Sequence, residues 1–469
     1  MKKIKFPSAY TILFMLTIVM AALTWIVPAG QYQMEKNEAL GREVPVAGSY
    51  QPVDANPQGI VEIMMAPVQG FYDPASYAAR AVDVALFVLV IGGFLGVVTR
   101  TGAIDAGING SMARLKGREK WMIPLLMGLF ALGGTVYGMA EETLPFYALL
   151  IPVMIAAGYD SIVGVAIIMI GAGIGCLGST INPFATVIAS NAAEINFMEG
   201  FGLRLAILVL GWLACVFYVM RYAEKVKRDP SRSLVAHQKE DNERHFLHGK
   251  TQQAPELTRT RKLILAIFAL TFGVMMWGVS AGGWWMAELS ALFIAASILV
   301  GLVARLSETD LTGSFIDGAK DLLGVALIIA IARGLVVVMD NGNITHTILH
   351  YAEDLLSGMH QIVFINAIYF IEAVMSLIVP SSSGLAVLSM PILAPLADFS
   401  GIGRDLVVTA FQSASGLPNL VTPTSGIVMG GLAIGRVSYG TWLKFIGPLL
   451  GVLTLMVMAL LSLGVILGN

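Results

Sequence analysis

Two adjacent carboxylates, Glu141 and Glu142, lie in the stretch Gly138-Met139-Ala140-Glu141-Glu142-Thr143-Leu144-Pro145, between apolar runs at residues 121–137 and 146–157. An ionised side chain at bilayer depth costs about 2.5–3.5 kcal/mol on insertion scales, so an acidic pair there is a candidate for binding. Its chemistry would be capture of a cationic group or of a coupling proton. The bland alternative is a structural ion pair with Arg333, which sits mid-segment in Ala330-Ile331-Ala332-Arg333-Gly334. Glu372, another membrane-depth carboxylate, is a candidate buried partner for the same arginine.

Hydroxyls and amides cluster at four places beside proline or glycine. They are Thr143 after the glutamates, Ser179, Thr180 and Asn182 before Pro183, Ser381, Ser382 and Ser383 after Pro380, and Asn419, Thr422, Thr424 and Ser425 around Pro423. Broken helices offer free N–H groups to anions, while unwound carbonyls and hydroxyls hold cations. Thr143, Asn182, the three serines, Asn419, Thr422 and Thr424 are therefore substrate-binding candidates with the glutamates, and Ser179, Thr180 and Ser425 are ion-binding candidates. The competing explanation is repair of backbone hydrogen bonds freed by Pro183, Pro418 and Pro423.

The elements that must position these residues are membrane helices. The chain has 469 residues, 56% hydrophobic and 13% charged, with a mean hydropathy of +0.77. That composition describes an all-α polytopic membrane protein in contact with lipid, and gives no reason to expect nucleic acid. Cys176 and Cys215 both lie in apolar segments, so no disulfide framework is expected. The six histidines fall in loops or the linker, where solvation explains them better than ligation.

An unbroken helix over 144–157 would rise about 21 Å, against a hydrocarbon core of about 30 Å. The glutamates therefore sit at the tip of a re-entrant hairpin, 121–157, surrounded by protein or a water-filled cavity. Residues 1–80 comprise a basic start, a first transmembrane helix, with a cleaved leader as the alternative for that apolar run, and an extracytoplasmic loop. Within that loop, 59–66 reads as a short amphipathic helix on the outer membrane surface. Residues 81–221 form a first repeat, with the hairpin and a broken helix at 162–195. Arg114, Lys116, Arg118 and Lys120 place the loop before the hairpin inside. Residues 222–262 form a charged, flexible cytoplasmic linker. Residues 263–469 hold the second half, with a second repeat at 322–466 that includes a hairpin at 362–396 and a broken helix at 406–434.

The two halves look alike. Pro152 and Pro391 are 391 − 152 = 239 positions apart, and Pro183/Pro423 and Gly102/Gly342 are each 240 apart. One copy starts outside and the other inside, the pattern of inverted repeats in a secondary transporter with its site at the midplane. No HExxH and no GxxxxGK[ST] is present, and no intramembrane histidine accompanies Ser381-Ser382-Ser383. An enzyme is not expected. A channel is a distant alternative, since it would not need two mirrored breaks beside carboxylates.

Ile91-Gly92-Gly93-Phe94-Leu95-Gly96, followed by Thr101-Gly102-Ala103-Ile104-Asp105, resembles the anaerobic four-carbon dicarboxylate carrier-like family. Gly138-Met139-Ala140-Glu141-Glu142-Thr143 and Thr422-Pro423-Thr424-Ser425-Gly426 resemble its YfcC branch, near the arginine/ornithine antiporters. The resemblance covers most of the chain outside the linker. It implies the ion-transporter superfamily fold, a homodimer in a bacterial inner membrane in which a transport domain moves as an elevator against a scaffold. It implies no organic cofactor, with a sodium ion or proton as possible coupling ion. A carboxylate pair calls for positive charge on the ligand and the half-helix N-termini for a carboxylate, so an amino acid, particularly a basic one, meets both demands. The alternative is a mono- or dicarboxylate moved with protons or sodium.

Overall fold

The longest helix is held by its glycines. A computed structural model describes residues 9–37, 42–72, 81–104, 106–107, 119–247, 256–284, 286–356, 358–379 and 381–468. Among the described residues, seven helices are long and apolar enough to cross a membrane. The charges of Arg114, Lys116 and Arg118, together with Asp105, Pro380 and His248, lie outside the described residues.

In chain order the helices begin with α1 (Ala9–Leu23), α2 (Ile60–Tyr72), α3 (Ala81–Arg100), α4 (Met122–Tyr137), α5 (Leu144–Ala156) and α6 (Ser161–Leu177). Then come α7 (Ile188–Ala192), α8 (Phe201–Arg228), α9 (Lys239–Leu247), α10 (Arg259–Ala281), α11 (Met286–Ala304) and α12 (Glu308–Asn341). The chain closes with α13 (Thr345–Leu356), α14 (Gln361–Ile378), α15 (Ser382–Phe399), α16 (Arg404–Gly416), α17 (Gly426–Ile434) and α18 (Tyr439–Leu467). The loop after α1 is not wholly irregular. Two antiparallel ribbons pair β1 (Gly30–Gln31) with β4 (Gln51–Pro52) and β2 (Met34–Asn37) with β3 (Arg42–Pro45), a small departure from the all-α expectation.

Helix α12 starts at Ser307, whose hydroxyl accepts from Asp310 N at 3.1 Å, and runs for 34 residues. Helix α3 lies antiparallel along it. A Cβ at Gly318 would stand 2.2 Å from the Gly92 carbonyl oxygen, and one at Gly96 would stand 2.2 Å from that of Ser314. Backbones approach this closely only where no side chain intervenes, which is how helices associate when water supplies no driving force. Helix α2 uses the same device further along, with Gly70 against Ala330 and Gly334 at 2.5 Å. The helix expected at 59–66 forms as part of α2, and it packs on α12 as well as presenting apolar residues outward. Ala66 and Gly70 are buried against Ala330 and Gly334, in the last third of α12, and the bulky apolar residues Val61, Met65 and Val68 are among the exposed ones.

The linker also differs from expectation. Helix α8 continues to Arg228, a short turn follows, and α9 packs on α5. Asp160, the N-cap of α6, accepts from Val163 N at 3.0 Å, from the Tyr222 hydroxyl at 2.7 Å and from the Ser233 hydroxyl at 2.6 Å. That buried carboxylate ties the start of α6 to the end of α8 and the segment after it. The charged composition of the segment reflects its exposed side, and residues through Leu247 are ordered. Two histidines likewise leave the loops for α13, where His350 stacks on Tyr50 with ring centroids 3.9 Å apart.

An aromatic cluster joins both parts of the core. Phe94 of α3 stacks on Phe268 of α10 at 5.7 Å, and Phe272 of α10 meets Phe146 of α5 at 4.5 Å.

Candidate functional site

The glutamates sit where a helix is forced to end. Gly138 adopts φ 73°, a left-handed conformation that ends α4, with its N–H and that of Met139 returning to the carbonyls of Gly134 and Gly133. A single 3-10 turn, Glu141–Thr143, follows, and α5 begins at Leu144 with Pro145 in its first turn. Glu142 is buried and accepts from Ala140 N at 2.9 Å, so it braces the turn as well as charging it. Thr143 donates to the Ala140 carbonyl at 2.7 Å and is not on the cavity wall.

Across from this turn, two helices begin. Ser381 caps α15 by accepting from Gly384 N at 3.2 Å, and Ser425 caps α17 by accepting from Val428 N at 3.4 Å. Their free N–H groups and positive dipole ends favour an anionic group. Glu141, Glu142, Asn182, Ser381, Ser382, Ser383, Asn419, Thr424 and Ser425 all line one cavity of about 220 Å³. Arg333 reaches the same cavity from α12, within electrostatic reach of Glu141. Arg333 and Ser381 also border a second cavity of about 320 Å³, lined by Gly30, Gln31, Asp340 and His346. The central cavity thus leads toward the loops expected outside. Burial lowers the pKa of His346 in that vestibule and favours the neutral imidazole, which accepts from Tyr32 N at 3.2 Å.

Other candidates hold the walls in place. Ser179 hydrogen-bonds with Thr186 at 2.7 Å, and Thr180 with Thr135 at 3.0 Å. Thr422 supports Thr424 through a hydroxyl pair at 2.7 Å. The two broken helices cross at their breaks, where a Cβ on Gly416 would lie 2.4 Å from Leu177 Cα. At that crossing Gln412 Nε2 donates to the Cys176 carbonyl at 2.5 Å and Ser413 to that of Leu177 at 3.2 Å, satisfying carbonyls left over at the end of α6.

Gln412 and Cys176 line the cavity and were not singled out from sequence. Gln412 stands one turn before the break at Gly416, among Thr409, Ser413 and Ser415 of the same helix, so its amide alone does not mark it. The suggested pairing of Glu372 with Arg333 does not occur. Helix α14 packs on α16 and α18, whereas Arg333 faces the central cavity, and neither carboxylate oxygen of Glu372 has a hydrogen-bond partner among the described residues.

Chemical labelling checks the cavity. With Cys176 and Cys215 both replaced by serine, Ser382→Cys should react with small aqueous thiol reagents, and Ser389→Cys in the same helix should not. A saturating ligand should slow the first reaction at least several-fold. Equal labelling at both positions would mean that the cavity does not define the accessible surface.

A family model described as C4-dicarboxylate anaerobic carrier matches residues 6–466. The chain is 38% identical over 495 residues to an uncharacterized protein of Haemophilus influenzae, covering 97% of this chain and 96% of that one. It is 32% identical over 485 residues to the putative basic amino acid antiporter YfcC of Escherichia coli, covering 96% and 94%. Among solved structures it is similar to MtrF of Neisseria gonorrhoeae, described with a class of antimetabolite efflux pumps, at 15% identity and TM-score 0.46, covering 98% and 95%. It is also similar to the YdaH transporter of Alcanivorax borkumensis, at 14% identity and TM-score 0.43, covering 98% and 99%.

Proposed function

The chain belongs to the C4-dicarboxylate anaerobic carrier family of multi-pass membrane transporters, and from that premise we propose that it carries a small amino-acid-like substrate, a basic amino acid by exchange or ion coupling. The observation that supports this reading is the charge arrangement of the central cavity. Two carboxylates, Glu141 and Glu142, share it with one guanidinium, Arg333, and two helix N-termini. A basic amino acid offers two cationic groups to the glutamates and one carboxylate to Arg333 and the helix starts. A dicarboxylate satisfies the second set and is repelled by the first. The volume lies below the ~300–1,000 Å³ of pockets for drug-sized ligands, which suits a small metabolite. The E. coli relative, named a putative basic amino acid antiporter, points the same way.

The runner-up is a mono- or dicarboxylate carrier coupled to protons or sodium. It is favoured by the same helix N-termini with Arg333, and would require the glutamates to be protonated during binding. Thermal-shift measurements on purified protein separate the two, because a ligand bound only by the folded state raises apparent stability. Arginine and lysine should raise the melting temperature and succinate should not. The reverse ranking would overturn the amino-acid reading.

We read the motion as an elevator within a homodimer of the inner membrane. The hairpins and broken helices would move against a scaffold of α1, α3 and α10–α12. The two parts meet where a Cβ on Gly430 of α17 would lie 2.9 Å from Val325 Cγ1 of α12. A disulfide between Val325→Cys and Gly430→Cys should therefore abolish arginine uptake into proteoliposomes, and reduction should restore it. Undiminished uptake after complete cross-linking would sink the elevator.

A further inference from the structure

Glu372 is fully buried in α14, the first arm of the second hairpin, and does not line the cavity that holds Glu141, Glu142 and Arg333. Among the described residues no hydrogen-bond partner reaches either carboxylate oxygen. Nor does any helix packed on α14 bring a charge to it. Helix α15 faces it with Ser389, and its one acid, Asp398, is at the far end, paired with Arg404. The charges of α16, Arg404 and Asp405, occupy its first turn, and Lys444 of α18 is exposed. In α13, His350 is engaged by Glu353 and Asp354, and His346 accepts from Tyr32 N. Tyr369, one turn away on the same helix, is the other titratable group nearby, and its hydroxyl is buried.

Ser389 faces it, and its hydroxyl already donates to the Leu385 carbonyl at 2.9 Å. An isolated carboxylate in an apolar interior lacks everything that stabilises its charge, whereas the neutral acid fits. We propose that Glu372 is a proton-binding site of this carrier, separate from the substrate cavity, through which transport is coupled to protons. The inference rests on the transporter reading above.

Polar groups lie between α14 and the cavity. Ser376, one turn along α14, lies 3.5 Å from the Ser415 carbonyl, and the Ser415 hydroxyl donates to Ser382 Oγ at 2.9 Å. Ser382 and Ser415 are both on the cavity wall. The step is a simple protonation. A hydronium ion in the cavity gives up its proton, one O–H bond forms on the Glu372 carboxylate, and release on the other side breaks that bond and restores the anion. Nothing is oxidised or reduced.

Glu372→Gln tests this, since the amide mimics the neutral acid in shape. In infrared difference spectra of the purified protein in lipid, wild type minus variant should show the carbonyl band of a protonated carboxyl, shifted in heavy water. Glu372→Asp, which keeps the carboxyl, should move that band without removing it. The Gln variant should melt within a few degrees of wild type, exchange labelled arginine across proteoliposomes, and lose accumulation driven by an imposed pH gradient. Absence of the band, marked destabilisation by Gln, or full gradient-driven accumulation in the variant would each overturn the proposal. Failure of wild-type protein to carry arginine at all would overturn the substrate reading, and the infrared result would still decide Glu372.

Discussion

Gly318→Leu is expected to leave little folded transporter in the membrane. The new Cβ would begin 2.2 Å from the Gly92 carbonyl oxygen and 2.8 Å from Gly96 Cα. Both are backbone atoms of α3, so no side chain can rotate out of the way, and the two helices must separate along their glycine seam. Overpacking commonly costs about 1–3 kcal/mol even where side chains can yield. Forcing backbones apart costs more, against a total stability of about 5–15 kcal/mol for typical proteins. Gly313→Leu in the same helix is the control, because nothing lies within 4 Å of a Cβ there and leucine favours helix over glycine. Melting curves in detergent should show Gly313→Leu near wild type and Gly318→Leu as aggregate or as a strongly lowered transition. A Gly318→Leu protein that melts like wild type would mean that the seam contributes little.

The seam matters for the site because α12 carries Arg333 to the cavity. The sequence pattern already marked the parts of the site that obey local rules. Glycine at 138 ends α4, and prolines at 183, 418 and 423 stand at the helix breaks. A carboxylate pair at membrane depth is visible from its cost alone. What stayed hidden depends on which surfaces meet. The periodicity of 59–66 is the same for a helix on a lipid surface and for one that turns Ala66 and Gly70 to a neighbour. The linker's charges concealed that Ser233 and Asn242 turn inward, toward Asp160 and Ser161. The partner of Arg333 was a choice between acids of equal hydropathy, and only helix packing separates Glu141 from Glu372. Gln412 was missed because its role, serving carbonyls of a helix 236 residues away, leaves no local trace.

Glu141→Gln should weaken arginine or lysine binding roughly tenfold to a hundredfold. A hydrogen bond assisted by charge contributes about 1.5–3 kcal/mol, and glutamine keeps the volume while losing the charge. Glu142→Gln should differ in kind. Its carboxylate already accepts from Ala140 N at 2.9 Å, so the variant should lose about 1–3 kcal/mol of stability by loosening the turn as well as lowering affinity. Isothermal titration and thermal melting on the same proteins separate these effects. If Glu141 exists to neutralise Arg333 and not to hold substrate, its replacement removes the charge facing a half-buried guanidinium and should lower stability with affinity retained. In that case Glu141→Gln combined with Arg333→Gln should recover most of the loss, since neither charge is then left alone. Under the substrate reading the double variant binds worse still, because the ligand has lost the partners of both its cationic group and its carboxylate. A Gln variant that binds succinate more tightly than wild type would instead transfer the site to the anion-carrier reading, with the glutamates acting as the groups that must be protonated before a dianion can enter.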